Sequence, residues 1–225
     1  METIKNKFKA IIFDMDGTII NTEAAWRQVN LELLAHYGIT DLSHDQKELL
    51  QTFSGMALSK VVGLMKEHFA LEHDHQIIIN KKIELANQKL AGNLEFIEGF
   101  QAFHAKLQGI NMPTGVATNA LPENLAAIAQ HMRLDKMFGE NLYCIAHVDY
   151  KAKPDPAVFL HTAAMLGVKP EECVVFEDSI HGFMAAKAAG MKCIAIKNAL
   201  NSHLLEHVHD AISTYHEAED ALKRL

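Results

Sequence analysis

The sequence predicts an α/β protein: a parallel sheet covered by helices on both faces, with a block of helices inserted after the first strand. Three observations predict it. Short apolar runs alternate with helical stripes from about residue 96 onward, which is the rhythm of strands buried on both faces. Residues 20–92 carry helical periodicity and no clear strand. The apolar runs at 10–13, 114–118 and 173–176 each end in polar residues, Asp14/Asp16, Thr118/Asn119 and Glu177/Asp178. In parallel sheets ligands collect beyond the carboxyl ends of the strands, so these three ends are expected to share one crevice.

The 225 residues suit one large domain or one domain with an insert, and 49% apolar residues supply a substantial core. The net charge of -7 argues against nucleic acid or an anionic membrane as partner. The first seven residues lack the apolar core of a secretory signal, and no apolar run nears the roughly 20 residues that span a bilayer. The three cysteines, Cys144, Cys173 and Cys193, lie far apart without metal-site spacing, so they read as reduced and buried in a cytoplasmic protein. The fourteen histidines include the close pairs His73/His75, His203/His207 and His207/His209. No Cys or carboxylate cluster completes a zinc set around them, and they read as surface residues.

The first strand, 10–13, runs into Asp14-Met15-Asp16-Gly17-Thr18. Alternate side chains of an extended chain share a face, so the two aspartates are placed to point the same way, and Gly17 permits a sharp turn after them. Trp26, Val29, Leu33 and Tyr37 then mark a helix stopped by Gly38. Ser43 with Gln46 forms a capping-box pattern for a second. Leu58, Val61, Val62, Met65 and Phe69 make a third stripe, and residues 77–90 a fourth helix ending near Gly92. Beyond it, Phe100, Phe103 and Leu107 share a helical face; 114–118 is a strand; Pro122 opens a helix. Residues 143–145 form a short strand, and a polar loop at 149–156 carries Lys151 and Lys153. A helix closed by Gly167, the strand 173–176, a helix from 180 to 189, the strand 193–196, a weak strand at 211–213 and a final helix complete the chain. The expected division is a core of residues 1–19 and 93–225 and a helical unit of residues 20–92.

Four carboxylates, Asp14, Asp16, Glu177 and Asp178, would converge at the strand ends. Like charges at that density require a cation, and oxygen ligands suit Mg2+. Lys153, Thr118 and Asn119 supply donors. Taken singly, each is ordinary: Lys153 a solvated loop lysine, Thr118 a strand-end cap, the aspartate pair a solvated turn. Together they match what a phosphoryl group needs, positive charge and donors aimed at its oxygens. Asp14 is then placed to attack phosphorus and form an aspartyl-phosphate, and Asp16 to protonate the departing oxygen and later take a proton from water. Neither the Gly-x-Gly-x-x-Gly nor the Gly-x4-Gly-Lys-Ser/Thr nucleotide motif is present.

The motifs Asp14-Met15-Asp16-Gly17-Thr18, Thr118-Asn119, Lys153-Pro154-Asp155-Pro156, Phe176-Glu177-Asp178-Ser179 and the run Gly182 to Met191 together resemble the haloacid dehalogenase superfamily, in its phosphatase and β-phosphoglucomutase-like branch. The resemblance implies a Rossmann-like core with a helical cap over residues 20–92. It implies Asp14 as nucleophile, Asp16 as acid/base, and Thr118 and Lys153 as phosphate-binding residues. It implies Mg2+ held by Asp14, the Asp16 main-chain carbonyl and Asp178, with Glu177 supporting. The cap is then expected to close on substrate and exclude water, with Trp26, Met56 and Leu58 as specificity candidates. The chain departs from the mutase pattern: Trp26 stands where a histidine is usual, and Ser54-Gly55-Met56-Ala57-Leu58 lacks the cap cations for a second phosphate. Asp16 is the aspartate that the dehalogenases lack. Lys60 and Lys66 are available for a phosphonate-cleaving Schiff base but sit in no matching motif, and Asn21 replaces the usual aspartate of Asp-Ser/Thr-Glu. The expected activity is Mg2+-dependent hydrolysis of a small phosphorylated metabolite such as a sugar phosphate. The alternatives are a phosphosugar mutase and a catalytically idle metabolite-binding module.

Overall fold

A computed structural model describes residues 1–90, 92 and 94–225, leaving aside the side chain of Leu90. The chain opens with α1 (Glu2–Lys7) and β1 (Ala10–Phe13), then forms β2 (Ile20–Asn21). Four helices follow: α2 (Glu23–His36), α3 (His44–Gln51), α4 (Leu58–Phe69) and α5 (His75–Leu90). The remainder runs β3 (Glu95–Phe96), α6 (Phe100–Gly109), β4 (Thr114–Thr118), α7 (Pro122–Met132), α8 (Leu134–Phe138) and β5 (Leu142–Cys144). It continues through α9 (Ala157–Met165), β6 (Cys173–Glu177), α10 (Ile180–Ala188), β7 (Lys192–Ile196), β8 (Asp210–Ile212) and α11 (Ala218–Arg224).

Six strands form one sheet in the order β5-β4-β1-β6-β7-β8, every pair parallel. β1 is therefore flanked by β4 and β6. Its four residues are fully buried because both faces are covered. Phe13 on one face meets Phe176 at 5.3 Å and Phe100 at 5.4 Å, with Tyr215 at 6.2 Å. Ile12 on the other face packs with Val158, Phe159 and Phe183. Each such buried side chain contributes about 1.5–3 kcal/mol. This aromatic floor holds β1 level, so the residues just past Phe13 emerge at a fixed point.

The predicted α/β class, the helices of residues 20–92 and the Ser43/Gln46 capping box are all present. Two details differ. Residues 20–92 were expected to contain no strand, yet Ile20–Asn21 pairs antiparallel with Glu95–Phe96, one ladder joining the two ends of the helical stretch. Ile145 begins a 3₁₀ turn rather than ending a strand. The expected division between residues 92 and 93 abuts Asn93, which lies outside the described residues.

Candidate active site

Three adjacent strands deliver the polar groups. The Asp14 main-chain N–H donates to the Phe176 carbonyl at 2.9 Å, extending the β1–β6 ladder one residue past the strand and fixing Asp14 at its end. Gly17, at φ +77°, then turns the chain, and a Cβ there would overlap the Asp178 carboxylate, so only glycine fits. The Gly17 N–H donates to the Ile20 carbonyl at 2.8 Å and the Tyr215 hydroxyl to the Thr18 carbonyl at 3.1 Å, holding the turn against the aromatic floor.

Lys153 comes from the loop before α9, with its side chain 1% exposed. Its Nζ donates to Asp14 Oδ1 at 2.6 Å and Glu177 Oε1 at 2.8 Å, and lies 4.5 Å from the Phe159 ring centroid. The other Glu177 oxygen accepts from the Asp178 N–H, the Ser179 N–H and the Ser179 hydroxyl at 2.7, 2.6 and 3.0 Å. Glu177 is thus fully engaged and serves to hold Lys153. Asp178 Oδ2 accepts from Asn198 Nδ2 at 3.1 Å, and Thr18 Oγ1 reaches Oδ1 at 3.5 Å. Asn201 Nδ2 donates to the Asp178 carbonyl at 2.7 Å. Asn198 and Asn201 were missed in the sequence; the signal was there, since Asn198 sits just beyond the carboxyl end of β7, a fourth strand end of the same sheet.

The electrostatics are one-sided: four carboxylates around one buried ammonium. Burial raises Asp14 to about 8, with Lys153 opposing and Glu177 adding to the rise. Burial, then Glu177 and Asp14, push Asp178 well above the ordinary carboxylate value. Asp16 is also raised by burial, against hydrogen bonds from Trp26 and Thr22. Burial pulls Lys153 down, but Asp14 and Glu177 more than reverse it and hold it above the usual lysine value. A cluster in this condition is short of positive charge. Among the described residues no three His, Cys, Asp or Glu side chains form a ready metal-holding group. The Asp14 carboxylate nonetheless raises the proton affinity of Asp178, and the two supply oxygen donors with surplus negative charge, chemistry that fits a hard divalent cation.

Thr118 ends β4 next to β1, its Oγ1 accepting from the Ala120 N–H at 3.1 Å. Its hydroxyl proton has no acceptor among the described residues. The Asn119 carboxamide, expected to face phosphate, is engaged by protein at both ends: Oδ1 accepts from the Lys153 N–H at 2.8 Å, and Nδ2 donates to the Gly55 carbonyl at 3.0 Å. From α2, Trp26 Nε1 donates to Asp16 Oδ1 at 2.9 Å, which brings this candidate to the site. Met56 and Leu58 are half-buried against the main apolar cluster. Lys60 is exposed, and Lys66 donates to the His73 carbonyl, away from these groups. The three cysteines are free and buried. No helix among the described residues is long and apolar enough to cross a membrane.

Comparison with known proteins bears on this arrangement. The family model for haloacid dehalogenase-like hydrolases matches residues 8–190. The chain is 29% identical over 194 residues to the fructose-1-phosphate phosphatase YqaB of Escherichia coli, covering 85% of this chain and 97% of that protein. It is 30% identical over 188 residues to hexitol phosphatase B of the same species, covering 83% and 82%. Among solved structures, CbbY from Rhodobacter sphaeroides in complex with phosphate superposes with a TM-score of 0.83 at 23% identity, covering 96% of this chain and 99% of that one, a likeness of fold.

Proposed function

The chain belongs to the haloacid dehalogenase-like hydrolase family, and from that premise we propose a Mg2+-dependent phosphatase that hydrolyses a small sugar or polyol phosphate through an aspartyl-phosphate on Asp14. It is a phosphoric monoester hydrolase, as its relatives are by name. The single observation that carries the finer reading is Asp14 at the end of the central strand, held at 2.6 Å by Lys153, while Asp178 interacts with it and has no ammonium ion pair among the described residues.

Asp14 attacks phosphorus, forming the Asp14–phosphorus bond as the bond to the leaving oxygen breaks. Asp16 gives its proton to that oxygen; its raised affinity for protons suits the task. In the second step Asp16 accepts a proton from water, the water oxygen attacks phosphorus, and the Asp14 carboxylate departs. Lys153 and the Thr118 hydroxyl neutralise and orient the phosphoryl oxygens. Asp14, Asp178 and the Asp16 carbonyl would hold Mg2+, with Glu177 supporting through Lys153. When bound, the ion supplies the positive charge the cluster lacks. Residues 20–92 are the cap, and Trp26 brings it to Asp16. Trp26, Met56 and Leu58 would face the leaving group. The cap loop 54–58 carries no cation for a second phosphate, which favours hydrolysis over mutase chemistry.

A screen of sugar and polyol phosphates, reading released phosphate with Mg2+ or with EDTA, tests this. Release should require Mg2+ and vanish in Asp14→Asn, whose circular dichroism should match the parent. Wild-type turnover in Asp14→Asn, or full turnover in EDTA, overturns the mechanism.

A further inference from the structure

Gly55 lies in the cap loop between α3 and α4 at φ +71°, pressed so closely on the core that a Cβ would overlap the Ser179 side chain. Its carbonyl accepts from Asn119 Nδ2 at 3.0 Å. Asn119 Oδ1 accepts from the Lys153 N–H at 2.8 Å. Lys153 Nζ donates to Glu177 Oε1 at 2.8 Å, and Glu177 Oε2 accepts from the Ser179 hydroxyl at 3.0 Å. The circuit closes where it began, with Ser179 against Gly55. One cap residue therefore rests on both ends of the pair that places the lysine ammonium: on Asn119, which holds the Lys153 backbone, and on Ser179, which holds Glu177.

We propose that Asn119 and Gly55 are positioning residues that couple docking of the cap to placement of the Lys153 ammonium. The proposal rests on the phosphatase reading for the role of Lys153. When Gly55 leaves, Asn119 loses a partner and Ser179 loses the backbone packed on it, so both supports of the ammonium loosen together. Docking thus completes the phosphate-binding groups as well as covering them. A carboxamide is suited to this: it offers an acceptor to one segment and a donor to the other from one rigid plane.

Trp26 is the chain's only tryptophan. It sits on the cap with its indole bonded to Asp16 of the core, so its emission reports docking directly. The test compares wild type, Asn119→Asp and Gly55→Ala, reading Trp26 emission of the protein alone and p-nitrophenyl phosphate hydrolysis with Mg2+. Asn119→Asp keeps the 2.8 Å acceptor for the Lys153 N–H and removes the amide donor, which serves the Gly55 carbonyl at 3.0 Å and, at a longer 3.4 Å, the Lys153 carbonyl, so it strikes the cap arm harder than the lysine arm. Gly55→Ala blocks docking sterically. Both variants should show red-shifted emission more accessible to iodide, with kcat reduced about tenfold or more, and the double variant should lose no more than the worse single one. Should Gly55→Ala fail to fold, Asn119→Asp decides alone. A fall in kcat with unchanged emission, changed emission with wild-type kcat, no effect on either, or losses that multiply in the double variant overturns the coupling. If wild type fails to hydrolyse the aryl phosphate, the functional reading falls first, and emission alone decides whether the Asn119–Gly55 contact holds the cap.

Discussion

Two buried lysines, one in the core site and one in the helical block, are equally hidden and electrostatically opposite. Lys153 is 4% exposed and Lys82 is 3% exposed. Lys153 reaches two carboxylates and is held in its charged form. Lys82, on α5, donates to Asn30 Oδ1 of α2 and has its Nζ 5.8 Å from the Trp26 ring centroid, with no carboxylate ion pair among the described residues. Burial alone drives Lys82 down to about 7. Burial therefore does not decide whether a lysine is a cation; its partners do. The core spends its carboxylates on keeping one charge permanent, while α2 and α5 leave theirs poised between two states at neutral pH.

The largest way to break this contrast is Lys153→Met. It removes the proposed donor to the phosphoryl group and strands Asp14 and Glu177. The expected outcome is a kcat lower by roughly 10²–10³-fold and a stability loss of about 3–5 kcal/mol, read by steady-state kinetics and urea unfolding. An unchanged kcat would mean that the ammonium serves only the fold.

Lys82→Met sharpens it from the other side. Replacing an ammonium that has no carboxylate partner among the described residues should stabilise the protein at pH 7 by roughly 1–4 kcal/mol. The pH dependence has a definite sign. Lys82 titrates at about 7 when folded and near 10.4 when unfolded. The unfolded chain thus binds the extra proton between these values, and stability must rise with pH across the window. Its full contribution is present above about pH 10.4 and is lost as pH falls toward about 7. The wild-type-minus-variant difference in unfolding free energy, measured from pH 7 to 10, should climb; a flat difference would show the lysine is charged throughout.

The smallest expected effect belongs to Trp26→Phe, the side chain lying between Lys82 and Asp16. It removes the indole donor from Asp16 and keeps an aromatic face near Lys82. A fall in kcat of roughly threefold to tenfold is expected, the worth of one such hydrogen bond, with little change in the alkaline rise of stability. Loss of that rise instead would assign Trp26 to Lys82 rather than to Asp16.

Reading the sequence reached most of the elements because each leaves a local trace. The Ser43/Gln46 box, Pro122 at a helix start and the continuous apolar strands report on residues within a turn or two of themselves. What stayed hidden had no local trace. The Ile20–Asn21 ladder pairs with residues some 75 positions away, and each of its strands is two residues long. The five-residue α8 follows Arg133 in a left-handed conformation that its side chain does not announce. Lys82 reads as one polar position on a helix; only packing against α2 buries it. Asn119 was legible as a strand-end donor, but not that both ends of its amide would be taken by protein.

By itself the sequence determined which polar side chains follow each strand, because backbone periodicity and turn residues set where each strand ends. It could not set the order β4-β1-β6, which makes those ends neighbours. Nor could it set the bond from Lys153 to Asp14 across 139 positions, or the seating of Gly55 and Trp26 on the core. Those depend on contacts between segments distant in the chain, whose energies no local pattern encodes, and only the folded arrangement decided them.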